Sequence, residues 1–253
     1  MRRFRLQVAY VGTAYHGWQY QPDVPTVAGE LRRAIAELVG HDVDLMGASR
    51  TDAGVHARAQ CAAFDTDAER TAEAVYRAVN HRTPPDIAVR RVEAVDVGFH
   101  PRHDSRGKIY VYRIGQGWHA DPFERGRVMH VRSRLDVDAM ARAGAHLEGE
   151  HDFSSFRASG CDALTAVRTL YQVGVRRAGE CVEVQVAGSA FLKYMVRNIV
   201  GTLVEVGRGH REPDWVADVL AGRDRRLAGP TAEPQGLTLE RIFYPDRPWG
   251  RAG

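Results

Sequence analysis

The residues of this chain that are best suited to chemistry are one aspartate and the charged residues around it. Asp52 lies in the run Ala48-Ser49-Arg50-Thr51-Asp52-Ala53-Gly54-Val55-His56-Ala57. The run is polar and turn-prone, and it separates two apolar, strand-like stretches. Loops held by a rigid scaffold commonly carry catalytic groups. A carboxylate in such a loop could act as a nucleophile if a nearby guanidinium keeps it ionised.

The same run also fits a purely structural turn. Aspartate followed by a small residue and glycine commonly forms a turn, because its side chain can accept a hydrogen bond from a backbone N–H two residues on. Arg50 would then be a solvated surface charge. The ten residues alone do not separate a nucleophile from a turn, so both interpretations stay open.

Three arginines are candidate partners for Asp52, namely Arg50, Arg58 and Arg197. Arg197 stands out because it interrupts the most apolar helical pattern of the chain, and a charge on such a helix is rarely left unpaired. Its guanidinium either reaches a buried carboxylate, extends to the surface or pairs with Glu205. The sequence favours none of these over the others.

Two more residues are candidates for contact with a substrate. Tyr110 follows a basic run, residues 102–108, on an alternating strand, and an aromatic side chain beside basic residues can stack on a base. Packing within the sheet, which we expect for Tyr112, is the more common role of a strand tyrosine. His56 could be a general acid or base, but without an identifiable partner a hydrogen-bonded structural histidine is the better interpretation.

Composition narrows the class of protein. The chain has 253 residues, enough for one large domain or two compact halves. Cys61, Cys161 and Cys181 match no zinc spacing, and their odd number argues against a complete disulfide framework, so we expect reduced thiols and no metal. No apolar run approaches the roughly 20 residues that span a bilayer, and no signal peptide is recognisable. We therefore expect a cytoplasmic protein.

The basic residues are nearly all arginine. The formal net charge is only +3, but Lys108 and Lys193 are the only lysines among the 35 basic residues. Guanidinium groups bind phosphate in a bidentate manner and stack on bases. A GC-rich genome would give the same bias without any function. RNA binding is predicted only if several arginines share one face.

The hydrophobic periodicity predicts an α+β protein built from two similar halves. Strands are predicted at 4–10, 58–65, 87–97, 107–115 and 237–244, with a hairpin over 167–187, and helices follow Thr26, Thr71 and Asp136 and cover 191–206. We expect two similar α/β subdomains that form a continuous mixed, mostly antiparallel sheet flanked by helices. Residues 1–104 would carry the Asp52 loop, and residues 105–253 would complete the active-site cleft.

Six segments, in order along nearly the whole chain, resemble motifs of the tRNA pseudouridine synthases of the TruA family. Two positions depart from the family pattern: Val11 stands where an acidic residue is expected, and Ser49 where a glycine is expected. The six segments are residues 9–21, 50–56, 86–90, 99–102, 149–156 and 191–207.

The resemblance implies the pseudouridine synthase fold and isomerisation of uridine to pseudouridine at positions 38, 39 and/or 40 of the tRNA anticodon stem-loop. It also implies a homodimer and no cofactor.

Position by position, the resemblance implies that Asp52 is the nucleophile and that Arg197 is its ion-pair partner. Tyr110 would stack on the target uracil. Arg50 would fill the space left by the flipped base and contact the RNA backbone. Arg58 and His56 remain further candidates for substrate binding.

Two other functions remain as alternatives. A non-catalytic RNA-binding module could be built on the same sheet. A hydrolase that acts on phosphate esters through an aspartate nucleophile is a third hypothesis, but such enzymes normally need Mg²⁺ and further carboxylates. No second carboxylate stands beside Asp52 in the sequence.

Overall fold

A computed structural model describes residues 1–245 of the chain. The described residues divide into two compact units, of which the first comprises Met1–Arg106 and residues 239–245, and the second Gly107–Thr238. The expected second domain, 105–253, therefore differs from the second unit, because the chain returns to the first unit in its last strand. Residues 246–253 of that expected domain lie outside the described residues.

The elements alternate between strands and helices in both units. The strands are β1 (Arg2–Tyr10), β2 (Met46–Gly47), β3 (His56–Thr66), β4 (Ile87–Val95), β5 (Gly107–Gln116), β6 (Met129–Val131), β7 (Gly149–Asp152), β8 (Val167–Ala178), β9 (Cys181–Gly188) and β10 (Leu237–Phe243). The helices are α1 (Val27–Val39), α2 (Ala72–Arg82), α3 (Val137–Ala145), α4 (Met195–Gly207) and α5 (Trp215–Gly222). These elements and their mostly antiparallel pairing confirm the α+β class.

The sheet of the first unit is built around β1, which pairs antiparallel with β3 on one side and with β4 on the other. β2 adds to β3, which also neighbours β10. Phe4, Leu6 and Val8 of β1 are almost completely buried, as their period of two predicts. Thr26 caps α1 by accepting a hydrogen bond from the backbone N–H of Gly29, so the predicted start of this helix is confirmed.

The sheet of the second unit has β5 and β8 on either side of β9, all antiparallel, with β7 beside β8. β6 pairs with β5 in parallel. Asp136 caps α3 through the N–H of Ala139, as expected. The helix α4 is buried along most of its length, which agrees with its apolar sequence.

The predicted helix over 191–206 is too long at its start. The helix begins at Met195, because Tyr194 adopts a left-handed conformation with φ of 62° and interrupts the helical backbone. Lys193 is therefore outside the helix, and Arg197 is its third residue. None of the helices in residues 1–245 has the length and apolarity needed to cross a membrane.

Candidate active site

Asp52 occupies a tight turn between β2 and β3 in the first unit. The backbone N–H of Val55 donates to the carbonyl of Asp52 over 3.1 Å, and Gly54 has a φ of 79°, which suits glycine. The Asp52 side chain is half-buried, while Arg50 is exposed. The turn therefore presents a partly accessible carboxylate beside an accessible guanidinium.

A second segment, residues 10–18, holds this turn in place. The hydroxyl groups of Tyr10 and Thr51 lie 2.7 Å apart, and both residues are buried. The backbone N–H of Trp18 donates to the carbonyl of Thr51 over 3.1 Å, and the N–H of Gly54 donates to the carbonyl of Tyr15 over 3.3 Å. These contacts fix the residues on both sides of Asp52, so its backbone is anchored at the points from which its side chain projects.

Two glycines let the two segments approach each other closely. A Cβ at Gly12 would lie 2.0 Å from the carbonyl oxygen of Val55, and one at Gly17 would lie 2.7 Å from that of Thr51. Gly17 also has a φ of 92°. The resemblance in residues 9–21 thus has a physical basis, since backbone meets backbone here and leaves no room for a side chain.

His56 contributes to this anchoring. It is buried, and its Nδ1 accepts a hydrogen bond from the backbone N–H of Gly12 over 2.9 Å. Accepting at Nδ1 assigns the proton to Nε2 and a neutral ring. This geometry supports the structural interpretation of His56.

Arg58, the remaining candidate in this unit, extends to the surface. Its side chain is 75% exposed and its Nε lies 3.3 Å from a carboxylate oxygen of Glu240 on β10. The pairing with Glu240 explains its position on β3 without any role at Asp52.

Arg197 lies in the second unit, in the first turn of α4. Its Nε donates to the carbonyl of Ala232 over 2.8 Å, and its guanidinium carbon lies 4.6 Å from the ring centroid of Tyr194. Pairing with Glu205, one of the alternatives from the sequence, does not occur, because that carboxylate binds Arg208 and His210. The guanidinium is held by the backbone and by an aromatic ring, and the side chain is half-buried.

The buried network beside Arg197 was not predicted from the sequence. Asn198 is completely buried and donates to the carbonyl of Phe156 over 2.8 Å. Its Oδ1 accepts from Thr231 over 2.6 Å and from Arg225 over 3.1 Å. The start of α4 is thereby tied to two distant parts of the same unit. An asparagine within an apolar helix was the one available signal.

Tyr110 lies on β5, opposite Val186 of β9. It is 6% exposed, and its ring meets that of Phe191 edge to face with centroids 5.1 Å apart. Tyr112, for which we expected packing within the sheet, is fully buried, and its hydroxyl donates to the carbonyl of Glu233 over 2.7 Å. Burial raises the pKa of Tyr112. The two tyrosines therefore differ in their surroundings, although they share one face of the strand.

No metal centre is found in the described part of the chain. Among residues 1–245 there is no group of three or more His, Cys, Asp and Glu side chains arranged to hold an ion. Cys61, Cys161 and Cys181 are free thiols.

Comparisons with known proteins agree with this geometry. A family model described as tRNA pseudouridine synthase matches residues 7–104 and 143–245. The chain is 48% identical to tRNA pseudouridine synthase A of Myxococcus xanthus, over 99% of this chain and 95% of that protein. It is 46% identical to tRNA pseudouridine synthase A of Cupriavidus taiwanensis, over 97% of this chain and 92% of that protein.

A chain from the crystal structure of a Cbf5-Nop10-Gar1 complex is a more distant match, with a TM-score of 0.36 at 13% identity over 79% of this chain and 54% of that one. That likeness is too slight to support an argument. The family match and the two relatives cover the segment around Asp52 and the helix of Arg197 alike. With an anchored carboxylate turn and this match along most of its length, the chain belongs to the tRNA pseudouridine synthase family, whose members isomerise uridine to pseudouridine in tRNA.

Proposed function

We propose that this enzyme isomerises uridine at positions 38, 39 and/or 40 of the tRNA anticodon stem-loop, with Asp52 as the nucleophile. The observation that carries the proposal is the turn at Asp52, whose neighbours Thr51 and Gly54 are both hydrogen-bonded to residues 10–18. A nucleophile works best when its approach to the reacting atom is fixed in advance. A turn that served only to reverse the chain would not need this many anchors.

The reaction exchanges one bond for another within a single nucleotide. The bond from the sugar C1′ to N1 of uracil breaks, the uracil turns, and a bond from C1′ to C5 forms. The proton on C5 leaves to solvent and N1 gains a proton, so atoms and charge balance without a redox step. Asp52 assists cleavage of the first bond by attack on the sugar or on the ring.

A uracil stacked in a stem is out of reach, so the enzyme must turn it out of the helix at a cost of a few kcal/mol. Arg50 is exposed beside the Asp52 turn, and its guanidinium suits the space left by the base and the phosphates next to it. We assign Tyr110 to stacking on the uracil. Its ring is largely buried against Phe191, so it would offer a firm, apolar wall to the detached base.

Arg197 is proposed as the ion-pair partner that keeps Asp52 ionised. Its guanidinium is already oriented by Ala232 and Tyr194, which supports a role that demands a fixed direction. Arg58 and His56 are the weaker candidates for substrate contact. Arg58 would meet the RNA backbone from its exposed site, whereas His56 acts through the backbone of Gly12.

We also propose that the enzyme is a cytoplasmic homodimer, as the family resemblance implies. Size-exclusion chromatography with light scattering tests the oligomeric state directly. A mass near twice 28.1 kDa is expected, and a monomer at micromolar concentration contradicts this part of the proposal.

The positions of action are tested with tRNA transcripts that carry uridine at only one of positions 38, 39 and 40. Each transcript is incubated with enzyme and pseudouridine is mapped by chemical labelling and reverse transcription. Signal at one or more of these positions, and none when all three are cytidine, supports the proposal. Pseudouridine at another position, with these three unmodified, contradicts it while leaving the family assignment intact.

A further inference from the structure

The chain leaves the sheet of the second unit between β5 and β6 in an exposed excursion, residues 117–127. β5 and β6 pair in parallel, with Ile114 opposite Met129, so the chain must travel back along the sheet between them. Most residues of the 117–127 segment are exposed. The family model matches up to residue 104 and again from residue 143, so the 117–127 segment lies outside the ranges that this model matches.

Two large aromatic side chains project from this segment into solvent. Trp118 is 74% exposed and Phe123 is 93% exposed. Both rings belong to one short segment, and exposed apolar surface that is concentrated in this way commonly marks an interaction site. The guanidinium carbon of Arg132 lies 5.6 Å from the centroid of the Trp118 ring, a distance at which a cation and an aromatic face attract each other.

Both acidic residues of the segment already form hydrogen bonds within the protein. Glu124 binds Arg113 of β5 through two hydrogen bonds of 2.8 and 3.1 Å, and Asp121 accepts a hydrogen bond from the backbone N–H of Phe123. By contrast, no carboxylate within residues 1–245 forms an ion pair with the nearby arginines. These are Arg125, Arg127 and Arg132, all exposed.

We propose that the 117–127 segment is a second RNA-binding surface, on which Trp118 and Phe123 stack with unpaired bases of the substrate tRNA. Arg125, Arg127 and Arg132 bind the adjoining phosphates. Exposed aromatic rings beside cations are the combination that binds single-stranded nucleic acid, since every base has a face to stack. Aromatic and arginine side chains are also enriched at protein interfaces, so a second copy of the chain is the alternative occupant that the test below separates.

The test measures the affinity of the full-length enzyme for an unmodified tRNA transcript by filter binding at fixed salt concentration. Trp118→Ala and Phe123→Ala are each expected to raise Kd about tenfold. Trp118→Phe retains a stacking ring and should stay within about threefold of wild type. Tyr76→Ala, which removes a 42%-exposed aromatic ring from α2 of the first unit, is the matched control and should change Kd less than twofold.

Two further measurements separate stacking from general loss of structure. Binding of tRNA should quench the tryptophan fluorescence of the wild type, and this quenching should largely disappear in Trp118→Phe, which still folds. Replacing Arg125 and Arg127 with glutamine should reduce the slope of log Kd against log salt concentration by about two.

An unchanged Kd in Trp118→Ala together with unchanged quenching in Trp118→Phe overturns the proposal. It is also overturned if Trp118→Ala dissociates an oligomer while its tRNA affinity stays at the wild-type value, because the surface would then serve a second copy of the chain. Since both readouts report tRNA affinity and not product formation, neither result depends on the role of Asp52.

Discussion

The turn that carries Asp52 and the helix start that carries Arg197 are anchored in different ways. The Asp52 turn is held by one neighbouring segment, residues 10–18, mainly through backbone groups. The start of α4 is held by a buried side chain, Asn198, which links three separate stretches of the second unit. Each charged residue therefore has a rigid support. The support of Asp52 is local in sequence, whereas that of Arg197 is assembled from distant parts of the chain.

This contrast shows where the sequence carries information about a site. A support formed by residues that are close in sequence produces a compact sequence pattern, because glycines and turn residues must stand at fixed positions for backbone to meet backbone. A support formed by distant residues appears in the sequence only as isolated residues such as Asn198, whose role depends on the fold. Four experiments test how far this contrast holds, and a fifth tests the chemistry.

The largest effect on stability is expected from adding one methyl group where backbone meets backbone. A Cβ at Gly12 would lie 2.0 Å from the carbonyl oxygen of Val55, and one at Gly201 in α4 would lie 1.7 Å from that of Pro230. Gly12→Ala and Gly201→Ala should each lower the free energy of unfolding by about 3 kcal/mol, measured by urea denaturation.

The control for these two variants is Gly174→Ala in β8, where the nearest atom to a new Cβ is 3.9 Å away. Its stability should equal or slightly exceed that of the wild type. If Gly12→Ala is as stable as this control, the close approach of residues 10–18 to the Asp52 turn is wrong.

Arg197→Met should lower both stability and rate. The substitution removes the hydrogen bond from Nε to the carbonyl of Ala232, and loss of a charged hydrogen bond typically costs about 1.5–3 kcal/mol. The turnover number should fall by about two orders of magnitude, because an ionised Asp52 loses its proposed partner. Arg197→Lys keeps the charge but not the fork of donors, so it should recover only part of the rate. Full activity in Arg197→Met would show that the proposed ion pair is wrong.

Tyr10→Phe and Thr51→Val each remove one hydroxyl of the pair that lies beside Asp52. Each should cost about 1 kcal/mol of stability and lower the turnover number while leaving the Michaelis constant for tRNA unchanged. The double variant should be no worse than the more damaging single one, because both remove the same hydrogen bond.

Tyr244→Phe is the matched control for this pair, since Tyr244 is equally buried in the same unit and donates to the carbonyl of Pro101. It should lose similar stability but no turnover. Equal loss of turnover in Tyr244→Phe and Tyr10→Phe would mean that Tyr10 supports the fold without positioning the turn.

The mildest experiment alkylates two native thiols. Cys61 reports on the region of the Asp52 turn, and Cys161 reports on the region before α4. Burial raises the pKa of Cys61 to about 12, and the carbonyl of Cys61 accepts from the N–H of Ala48 at the base of the Asp52 loop. At Cys161 the effect of burial is outweighed by hydrogen bonds from the backbone of Lys193 and Ala163 and by Arg157, so the pKa of this thiol lies below its ordinary value.

At pH 8 a mild alkylating reagent should therefore modify Cys161 first and leave Cys61 unmodified in the native protein, because the thiolate is the reactive form. Modification is followed by peptide mass spectrometry. Rapid alkylation of Cys61 would indicate that the base of the Asp52 loop opens readily, and a slow Cys161 would contradict the hydrogen bonds assigned to it.

Most of the first unit could be predicted from the sequence, because its signals are local. The alternation in β1, the caps at Thr26 and Thr71, and the turn at Asp52 each depend on a few adjacent residues. The same holds for the alternating strand of Tyr110 and Tyr112.

The parts that could not be predicted depend on contacts between distant residues. The last strand belongs to the first unit because β10 neighbours β3, a pairing that spans most of the chain. The carbonyl of Ala232 that orients Arg197 is 35 residues away in sequence. The late start of α4 depends on the left-handed backbone of Tyr194, which side-chain periodicity does not reveal.

The role of Asp52 is tested by the release of tritium from C5 of uracil in a tRNA transcript labelled at positions 38–40, compared between wild type and Asp52→Asn. Both proteins are assayed at saturating tRNA after their Kd values have been measured. We expect stoichiometric release by the wild type, no detectable release by Asp52→Asn, and Kd values within about threefold of each other. Release by Asp52→Asn at a rate comparable to wild type would contradict the assignment of Asp52 as the nucleophile.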